Sequence, residues 1–244
     1  MSQIPLPTVA RDDRLDALRG LAMVWMTAFH FSFDLQHFGF FRADFYADPL
    51  WTWQRSCIVS LFLLCAGMGQ AVAVAQGQGW PRFWKRWLQI AGCALLVSLG
   101  SWIMFPRSFI SFGVLHGMAL MLILLRWMLP RLGQGALLAL ALGCLLLPSF
   151  VQHPFFDTRW TNWVGLVTHK PVTEDYVPVL PWLGMMLLGA ALARWLAPRL
   201  GLPTRSGPLR GGLALLGRWS LSYYMLHQPV LIGALMLWQA TMRG

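Results

Sequence analysis

Long apolar runs separated by short polar segments dominate the chain. A helix that crosses a bilayer needs about 20 mostly apolar residues, and this length is reached seven times between segments rich in charge, proline or glycine. The runs lie at about 15–35, 51–75, 83–105, 112–129, 133–150, 178–196 and 213–238. The pattern therefore predicts an all-α, polytopic membrane bundle of about seven transmembrane helices.

The segments outside these runs indicate one domain. Residues 1–14 are polar and are not followed by a short apolar core with a small-residue cleavage site, so we expect a cytoplasmic N-terminal tail rather than a signal peptide. No linker rich in proline, glycine or serine divides the remainder. We predict a single transmembrane domain at 15–244, with one long outer loop at about 151–177.

Composition supports lipid as the solvent, because 57% of the residues are hydrophobic and 11% are charged, whereas soluble domains carry about a quarter charged residues. The net charge of +10 comes without a nucleic-acid recognition module, so we expect no nucleic-acid partner. The four cysteines lie inside apolar runs and none forms a CxxC pair. Neither a disulfide framework nor a thiolate metal site is indicated.

The basic residues fix the orientation. With the N-terminus inside, 13 of the 19 basic residues and only three acidic residues fall in inner segments, while the outer segments hold six of each. Because an excess of lysine and arginine marks the cytoplasmic side, the chain is predicted to be N-inside and C-outside.

Three of the six histidines, His30, His116 and His227, fall within predicted spans. Ionisable groups at that depth are costly and normally face the interior of the bundle. Each lies about 14–16 Å above an arginine near the inner end of its own run, by the helical rise. These arginines are Arg19, Arg126 and Arg218.

Asp34 follows His30 by four residues and Arg19 precedes it by three turns, so the three side chains share a helix face. We expect Asp34 to orient the imidazole of His30 and raise its basicity. Two alternatives stay open: a single intramembrane histidine can simply bridge helices through a hydrogen bond worth about 1 kcal/mol, and each arginine can extend to lipid headgroups.

Aromatic residues next to charges suggest two further surfaces. The tryptophans of 80–87 stand beside Arg82 and Arg86 and predict either an inner interfacial anchor or a contact with nucleotide phosphates. The outer loop, with Trp160, Trp163 and Tyr176, suits stacking on a sugar or an interfacial belt equally.

The string RLDALRGLA at 14–22, followed by His30 and Asp34, resembles the opening of the heparan-alpha-glucosaminide N-acetyltransferase catalytic domain family. Three more stretches agree in order: FGVLHGMA at 112–119, DYVPVLPWLG at 175–184 and LGRWSLSYYMLHQP at 216–229. The resemblance covers nearly the whole chain.

This resemblance implies a bacterial inner-membrane acyltransferase that moves an acyl group, usually acetyl from acetyl-CoA, to a sugar hydroxyl or amine on the far side of the membrane. The donor would enter from the cytosol at the arginine-rich mouth and the glycan acceptor from outside. In lysosomal members of the family, the histidine assigned as the acetyl carrier lies a little after the first span, where the nearest histidine here is His37. His37 and His30 are therefore both candidates for the catalytic histidine, and we favour His30 on geometry.

The expected site assigns one role to each group. His30, oriented by Asp34, acts as a general base or a transient acyl carrier, and His116 and His227 bind the thioester carbonyl or the acceptor and stabilise the oxyanion. The cationic groups are expected to hold the CoA phosphates. They are Arg19, Arg82, Arg86, Arg126 and Arg218.

Two other functions are weighed. A transporter or flippase component for an anionic lipid-linked sugar would use the arginines for binding and the histidines as a proton relay, but the chain is small and has no internal repeat. A three-histidine zinc site is the weaker alternative, and we expect no metal. The sequence leaves the acceptor, the acyl chain and a homodimer open.

Overall fold

A computed structural model describes residues 13–197 and 207–243, which contain eight α-helices and no β-strand. The all-α prediction is confirmed. Most of the predicted tail, together with Arg199 and Arg205, lies outside the described residues. The helices are α1 Asp13–His37, α2 Pro49–Ala75, α3 Trp80–Met104, α4 Val114–Met128, α5 Gln134–Phe150, α6 Val179–Leu196, α7 Pro208–Arg218 and α8 Ser220–Arg243. Two short 3₁₀ helices, Pro154–Asp157 and Asn162–Val164, occupy the long loop at 151–177 that the sequence predicts to be outer and that keeps the name outer loop below.

Three described helices, α2, α3 and α6, are long and apolar enough to cross a membrane. The apolar helices α4 and α5 are shorter, with 15 and 17 residues. Helices α1 and α8 contain 25 and 24 residues, which correspond to about 36–38 Å at the α-helical rise. The described part of the chain therefore has the composition of a membrane bundle, and the count of seven spans stays a prediction.

The last predicted span, 213–238, is wrong as a single helix. Helix α7 ends at Arg218 and α8 begins at Ser220, because Trp219 adopts a non-helical backbone with φ −96° and ψ 16°. Helix α7 runs antiparallel to α1, and α8 runs parallel to α1, so the chain reverses at Trp219. Gly217 and Arg218 directly precede the reversal within this run, and a basic residue in the last turn is a helix-stop signal that the apolar length alone does not take into account.

Glycines allow the closest helix contacts. On the α1–α7 contact, a Cβ atom at Gly20 would lie 1.9 Å from the carbonyl oxygen of Leu213. On the α2–α6 contact, a Cβ atom at Gly67 would lie 1.9 Å from the carbonyl oxygen of Met186. Small residues that let helix backbones touch are typical of membrane interfaces. The α2–α6 pair lies at the centre of the core, where Leu63 and Met186 are fully buried.

The end of the outer loop is fixed to the start of α4. The Asp175 carboxylate accepts a hydrogen bond from the Val114 backbone N–H at 2.7 Å, and the Val177 N–H donates to the Phe112 carbonyl at 3.2 Å. A carboxylate at a helix N-terminus satisfies a free N–H group and interacts favourably with the helix dipole. This contact positions the outer loop over α4.

Burial raises the pKa of Asp175, although N–H groups of Val114 and Tyr176 and the charges of Lys170 and Arg55 act in the opposite direction. The folded protein therefore holds this proton more tightly than the unfolded chain does. Asp175 stabilises the fold below its unfolded-state pKa, and this contribution is lost as the pH rises through its folded-state pKa.

In Asp175→Asn the side-chain amide oxygen should still accept the hydrogen bond from the Val114 backbone N–H. The amide does not gain or lose a proton in this pH range, so the pH dependence that Asp175 contributes should disappear. We expect a melting temperature at neutral pH equal to or above that of the wild type, and a weaker pH dependence in the range above the unfolded-state pKa of aspartate, about 3.9. Asp175→Ala, which loses the cap, should cost about 1 kcal/mol. Thermal melts of the three proteins across this range test the assignment, and identical pH profiles for the wild type and Asp175→Asn would contradict it.

Candidate functional site

Two of the predicted histidines meet between α1 and α8. The ring centroids of His30 and His227 are 5.2 Å apart, with the rings edge to face at 63°. One turn further along α1, Asp34 accepts a hydrogen bond from the side-chain amide of Gln228 at 2.8 Å. Both His227 and Asp34 are buried. The parallel packing of α1 and α8 thus brings an imidazole pair next to a carboxylate.

The hydrogen bonds of His227 define its tautomer. Its Nδ1 atom lies 2.7 Å from the backbone carbonyl oxygen of Tyr224. A carbonyl oxygen only accepts, so in the neutral ring Nδ1 carries the hydrogen and Nε2 keeps its lone pair. The Nε2 atom is buried and has no hydrogen-bond partner. His227 therefore presents the unprotonated nitrogen that a general base requires.

Two further acceptors in this cluster are unpaired. Oδ2 of Asp34 and Oε1 of Gln228 are buried and have no hydrogen-bond partner. A buried acceptor left unpaired costs roughly 1–3 kcal/mol, and here there are three: Oδ2 of Asp34 on α1, and Nε2 of His227 and Oε1 of Gln228 on α8. Their natural complement is a group rich in donors, such as a hydroxyl or an amine.

Tyr223 holds the ring of His227 in place. The two rings are nearly parallel, at 8°, with centroids 5.9 Å apart. The Thr27 hydroxyl donates its hydrogen to the Met23 carbonyl at 2.8 Å, so it accepts from the Tyr223 hydroxyl, which is 2.7 Å away. This chain of bonds fixes the tyrosine against α1. Neither Tyr223 nor Gln228 was among the predicted site residues, although both belong to the stretch 216–229.

Asp34 differs from expectation in its partner. Its carboxylate accepts a hydrogen bond from the side-chain amide of Gln228 on α8, whereas the sequence predicts that Asp34 orients His30. His37, the competing histidine, is exposed at the end of α1. The structure thus brings His30, Asp34 and His227 into one cluster and leaves His37 outside it.

His116 lies in a different environment. Its Nδ1 accepts from the Gly113 backbone N–H at 3.3 Å, so its Nε2 carries the hydrogen and donates to the Ser98 hydroxyl at 3.0 Å. Ser98 in turn donates to the Ile110 carbonyl at 2.6 Å. Both ring nitrogens of His116 are therefore engaged by protein groups, an arrangement that favours the helix-bridging interpretation over its predicted role in catalysis.

The three histidines do not assemble into a metal site. Within the described ranges, no group of three or more His, Cys, Asp or Glu side chains is arranged to hold a metal ion. The zinc alternative loses its geometric basis, since His116 bonds to Ser98 and Gly113, away from the His30–His227 pair.

A cavity of about 1210 Å³ lies between α3 and α8 and reaches α1, α2 and α4. Tyr224 lines it and also contacts the histidine pair, since the ring centroids of Tyr224 and His227 are 5.7 Å apart. Four of the five predicted arginines line this cavity, whereas His30, Asp34 and His227 do not. The four are Arg19, Arg82, Arg86 and Arg218.

Acidic residues neutralise part of this cationic mouth. Asp16 is buried and lies 3.1 Å from Arg19 and 3.6 Å from Arg218, and Asp13 lies 2.5 Å from Arg218. The Arg19 and Arg218 guanidinium groups are thus tied to the ends of α1 and α7. On α3, Arg82 and Arg86 line the same cavity and are exposed.

Arg126 is placed outside the cavity. It is 7% exposed, donates to the Gln78 carbonyl and lies over the rings of Trp80 and Phe83, 5.0 and 5.7 Å from their centroids. These contacts join α4 to the α2–α3 connection. Its Nη1 is buried and has no hydrogen-bond partner, but Arg126 does not line the cavity, so its contact with a phosphate stays a prediction.

Comparison with known families gives one match. The family model described as heparan-alpha-glucosaminide N-acetyltransferase, catalytic, matches residues 11–229, which include α1, the cavity and the histidine pair. No curated protein and no solved structure matches the chain.

Proposed function

Because the chain belongs to the heparan-alpha-glucosaminide N-acetyltransferase catalytic family, we propose that it is an integral membrane enzyme that transfers an acetyl group from cytoplasmic acetyl-CoA to a sugar hydroxyl or amine supplied from the outer side. We place it in a bacterial inner membrane, with several spans and the N-terminus in the cytoplasm. Family membership supports a membrane acetyltransferase; the donor, the acceptor and the sidedness are our inferences.

One observation carries the proposal. The unpaired Nε2 of His227 lies in a buried acceptor cluster with Asp34 and Gln228, and Tyr224, which contacts the His227 ring, also lines a large cavity with four arginines in its wall. An acetyltransferase that uses a donor from one side and an acceptor from the other needs two such compartments in contact. The acceptor cluster suits a hydroxyl or amine, and the cavity suits an anionic donor.

In the proposed reaction, Nε2 of His227 removes the proton as the acceptor oxygen or nitrogen attacks the thioester carbonyl carbon. His30, 5.2 Å away between ring centroids, stabilises the oxyanion of the tetrahedral intermediate. Collapse breaks the carbon–sulfur bond, and the His227 imidazolium returns its proton to the departing thiolate. This exchanges the predicted roles of the two rings, because the structure gives the free lone pair to His227. An acyl-His30 intermediate is the two-step form of the same reaction.

The cavity fits the donor in size and charge. Its volume of about 1210 Å³ exceeds the roughly 300–1,000 Å³ usual for small-molecule sites. Arg82 and Arg86 lie four residues apart on α3 and both line the cavity. Guanidinium groups form charge-assisted, often bidentate hydrogen bonds with phosphate. We assign these two arginines to the CoA phosphates.

Reconstituted protein incubated with acetyl-labelled acetyl-CoA and candidate sugars tests the activity. We expect label in the sugar product, and stabilisation by about 2.7 kcal/mol at a ligand concentration 100 times Kd. Label that stays on protein under acceptor-free conditions would indicate the two-step route. Absence of any shift with CoA species, together with a shift on adding an anionic lipid-linked sugar, would contradict the enzyme and favour the transporter.

The double substitution Arg82→Ala and Arg86→Ala should weaken acetyl-CoA binding at least tenfold, since charged hydrogen bonds contribute roughly 1.5–3 kcal/mol each. Arg131→Ala is the matched control, because Arg131 is exposed, bonds to the Trp127 carbonyl and does not line the cavity. Calorimetric titration measures both. Equal affinities in the two variants would remove α3 from the donor site.

A further inference from the structure

A second kind of unpaired group lies in the cavity wall. Nε2 of Gln70, on α2, is buried and has no hydrogen-bond partner, and the Gln70 side chain is only 8% exposed while it lines the cavity. The acceptor cluster at His227 lacks donors, whereas this amide nitrogen lacks an acceptor. Gln70 has no role in the reaction described above.

The position of Gln70 along the cavity is defined by its neighbours. A Cβ atom at the adjacent Gly69 would lie 3.4 Å from Nη2 of Arg19. The other cavity glutamines of this region, Gln76 and Gln78, follow Gln70 by six and eight residues, and Gln76 is exposed at the end of α2. At the helical rise, Gln70 is about 9 Å further from that end than Gln76.

The surroundings of Gln70 favour an uncharged acceptor. Ala66 and Phe62 precede Gln70 by one and two turns on α2, and they line the same cavity, as do Met68 and Leu122. Arg19, which lies beside the adjacent Gly69, is already paired with Asp16 at 3.1 Å. A primary amide N–H₂ group only donates. A carbonyl oxygen meets this requirement without the cost of burying a phosphate charge beside apolar walls.

We propose that Gln70 donates a hydrogen bond to an amide carbonyl of the pantetheine arm of the acyl donor. The proposal rests on the acetyl-CoA site proposed above and adds to it a residue that recognises the arm rather than the phosphates. The arm would then extend from the α3 arginines past Gln70 towards Tyr224. Gln70 is a positioning residue that sets how far the thioester reaches towards His227.

This assignment has a signature that a structural role does not produce. Because the amide nitrogen is unpaired in the ligand-free protein, replacing it removes no internal hydrogen bond from that nitrogen. Gln70→Leu and the more nearly isosteric Gln70→Met should therefore keep, or raise, the melting temperature of the free protein. Their defect should show only in binding.

The test compares the wild type, Gln70→Leu and Gln70→Met with the control Gln76→Leu, whose exposed side chain lines the same cavity. Each is titrated with acetyl-CoA and with adenosine 3′,5′-bisphosphate, which carries nucleotide phosphates but no pantetheine arm. We expect both Gln70 variants to bind acetyl-CoA about tenfold more weakly, the loss typical of one buried hydrogen bond. Bisphosphate affinity and the Gln76→Leu titrations should stay unchanged.

Three results would overturn the inference and leave the proposed donor site in place. Unchanged acetyl-CoA affinity in the Gln70 variants would show that the amide makes no contact with the donor, and an equal loss for both ligands would place Gln70 at the nucleotide. Loss of folding in both variants would show that the amide is structural. Wild-type protein that binds neither ligand would instead overturn the proposed donor site, and the role of Gln70 with it.

Discussion

His227→Ala should lower acetyl transfer by about 10²–10⁴-fold, the usual contribution of a general base, while the bundle stays folded. The ring bonds to backbone carbonyls of its own helix through Nδ1, and its Nε2 is unpaired, so no hydrogen bond to another helix is lost on substitution. His227→Gln tests the same point with a side chain closer in length.

Two measurements separate this result from misfolding. Binding of acetyl-CoA should change little in His227→Ala, because His227 does not line the donor cavity, whereas turnover at saturating donor should fall. His37→Ala, at the exposed end of α1, is the matched control and should retain activity. Full activity in His227→Ala would remove His227 from the reaction, and loss of activity in His37→Ala alone would transfer the chemistry to the end of α1 that carries His37.

The sequence predicts which helices carry the chemistry better than it predicts the contacts between them. The depth of His30 and His227 along their runs indicates that the two rings can meet, and they do, at 5.2 Å. The bond from Gln228 to Asp34 depends on how α1 and α8 are rotated about their axes. Periodicity along one helix defines its polar face but not the residue on the neighbouring helix that faces it.

The arginines illustrate the same limit. Their positions predict a cationic inner end, and four of them line one cavity. In the count of basic and acidic residues of the inner segments, Asp16 appears only as one negative charge among the positive ones. In the structure Asp16 is buried and contacts both Arg19 and Arg218. A charge tally cannot separate an arginine that binds a ligand from one that joins two helices.

The stretches 14–22 and 216–229 acquire a structural explanation from these contacts. Arg19 donates to the Gly217 carbonyl at 3.5 Å, in addition to its contact with Asp16. A Cβ atom at Gly217 would lie 1.8 Å from the Asp16 carbonyl oxygen and 3.0 Å from the Gly20 nitrogen. The two stretches therefore lock α1 against α7, and this contact sets where the chain reverses into α8 and where His227 is placed.

Gly217→Ala should consequently be the most destabilising of the small substitutions considered. The added methyl group meets helix backbone, which cannot rotate away as a side chain does, so α1 and α7 must separate. Overpacking a well-packed contact costs typically 1–3 kcal/mol and occasionally more, and a clash with backbone belongs at the upper end of that range. We expect a melting temperature lower by several degrees, with reduced activity because Arg218 and α8 are displaced.

Gly212→Ala is the matched control for this prediction. Gly212 lies on the same helix, and a Cβ atom there meets nothing within 4 Å. Alanine is favoured over glycine in a helix by roughly 0.8–1.0 kcal/mol, so Gly212→Ala should melt at or above the wild-type temperature. Equal melting temperatures for the two variants would mean that α1 and α7 are not in backbone contact. The placement of His227 by this contact would then lose its physical basis, whatever the activity of the His227 variants.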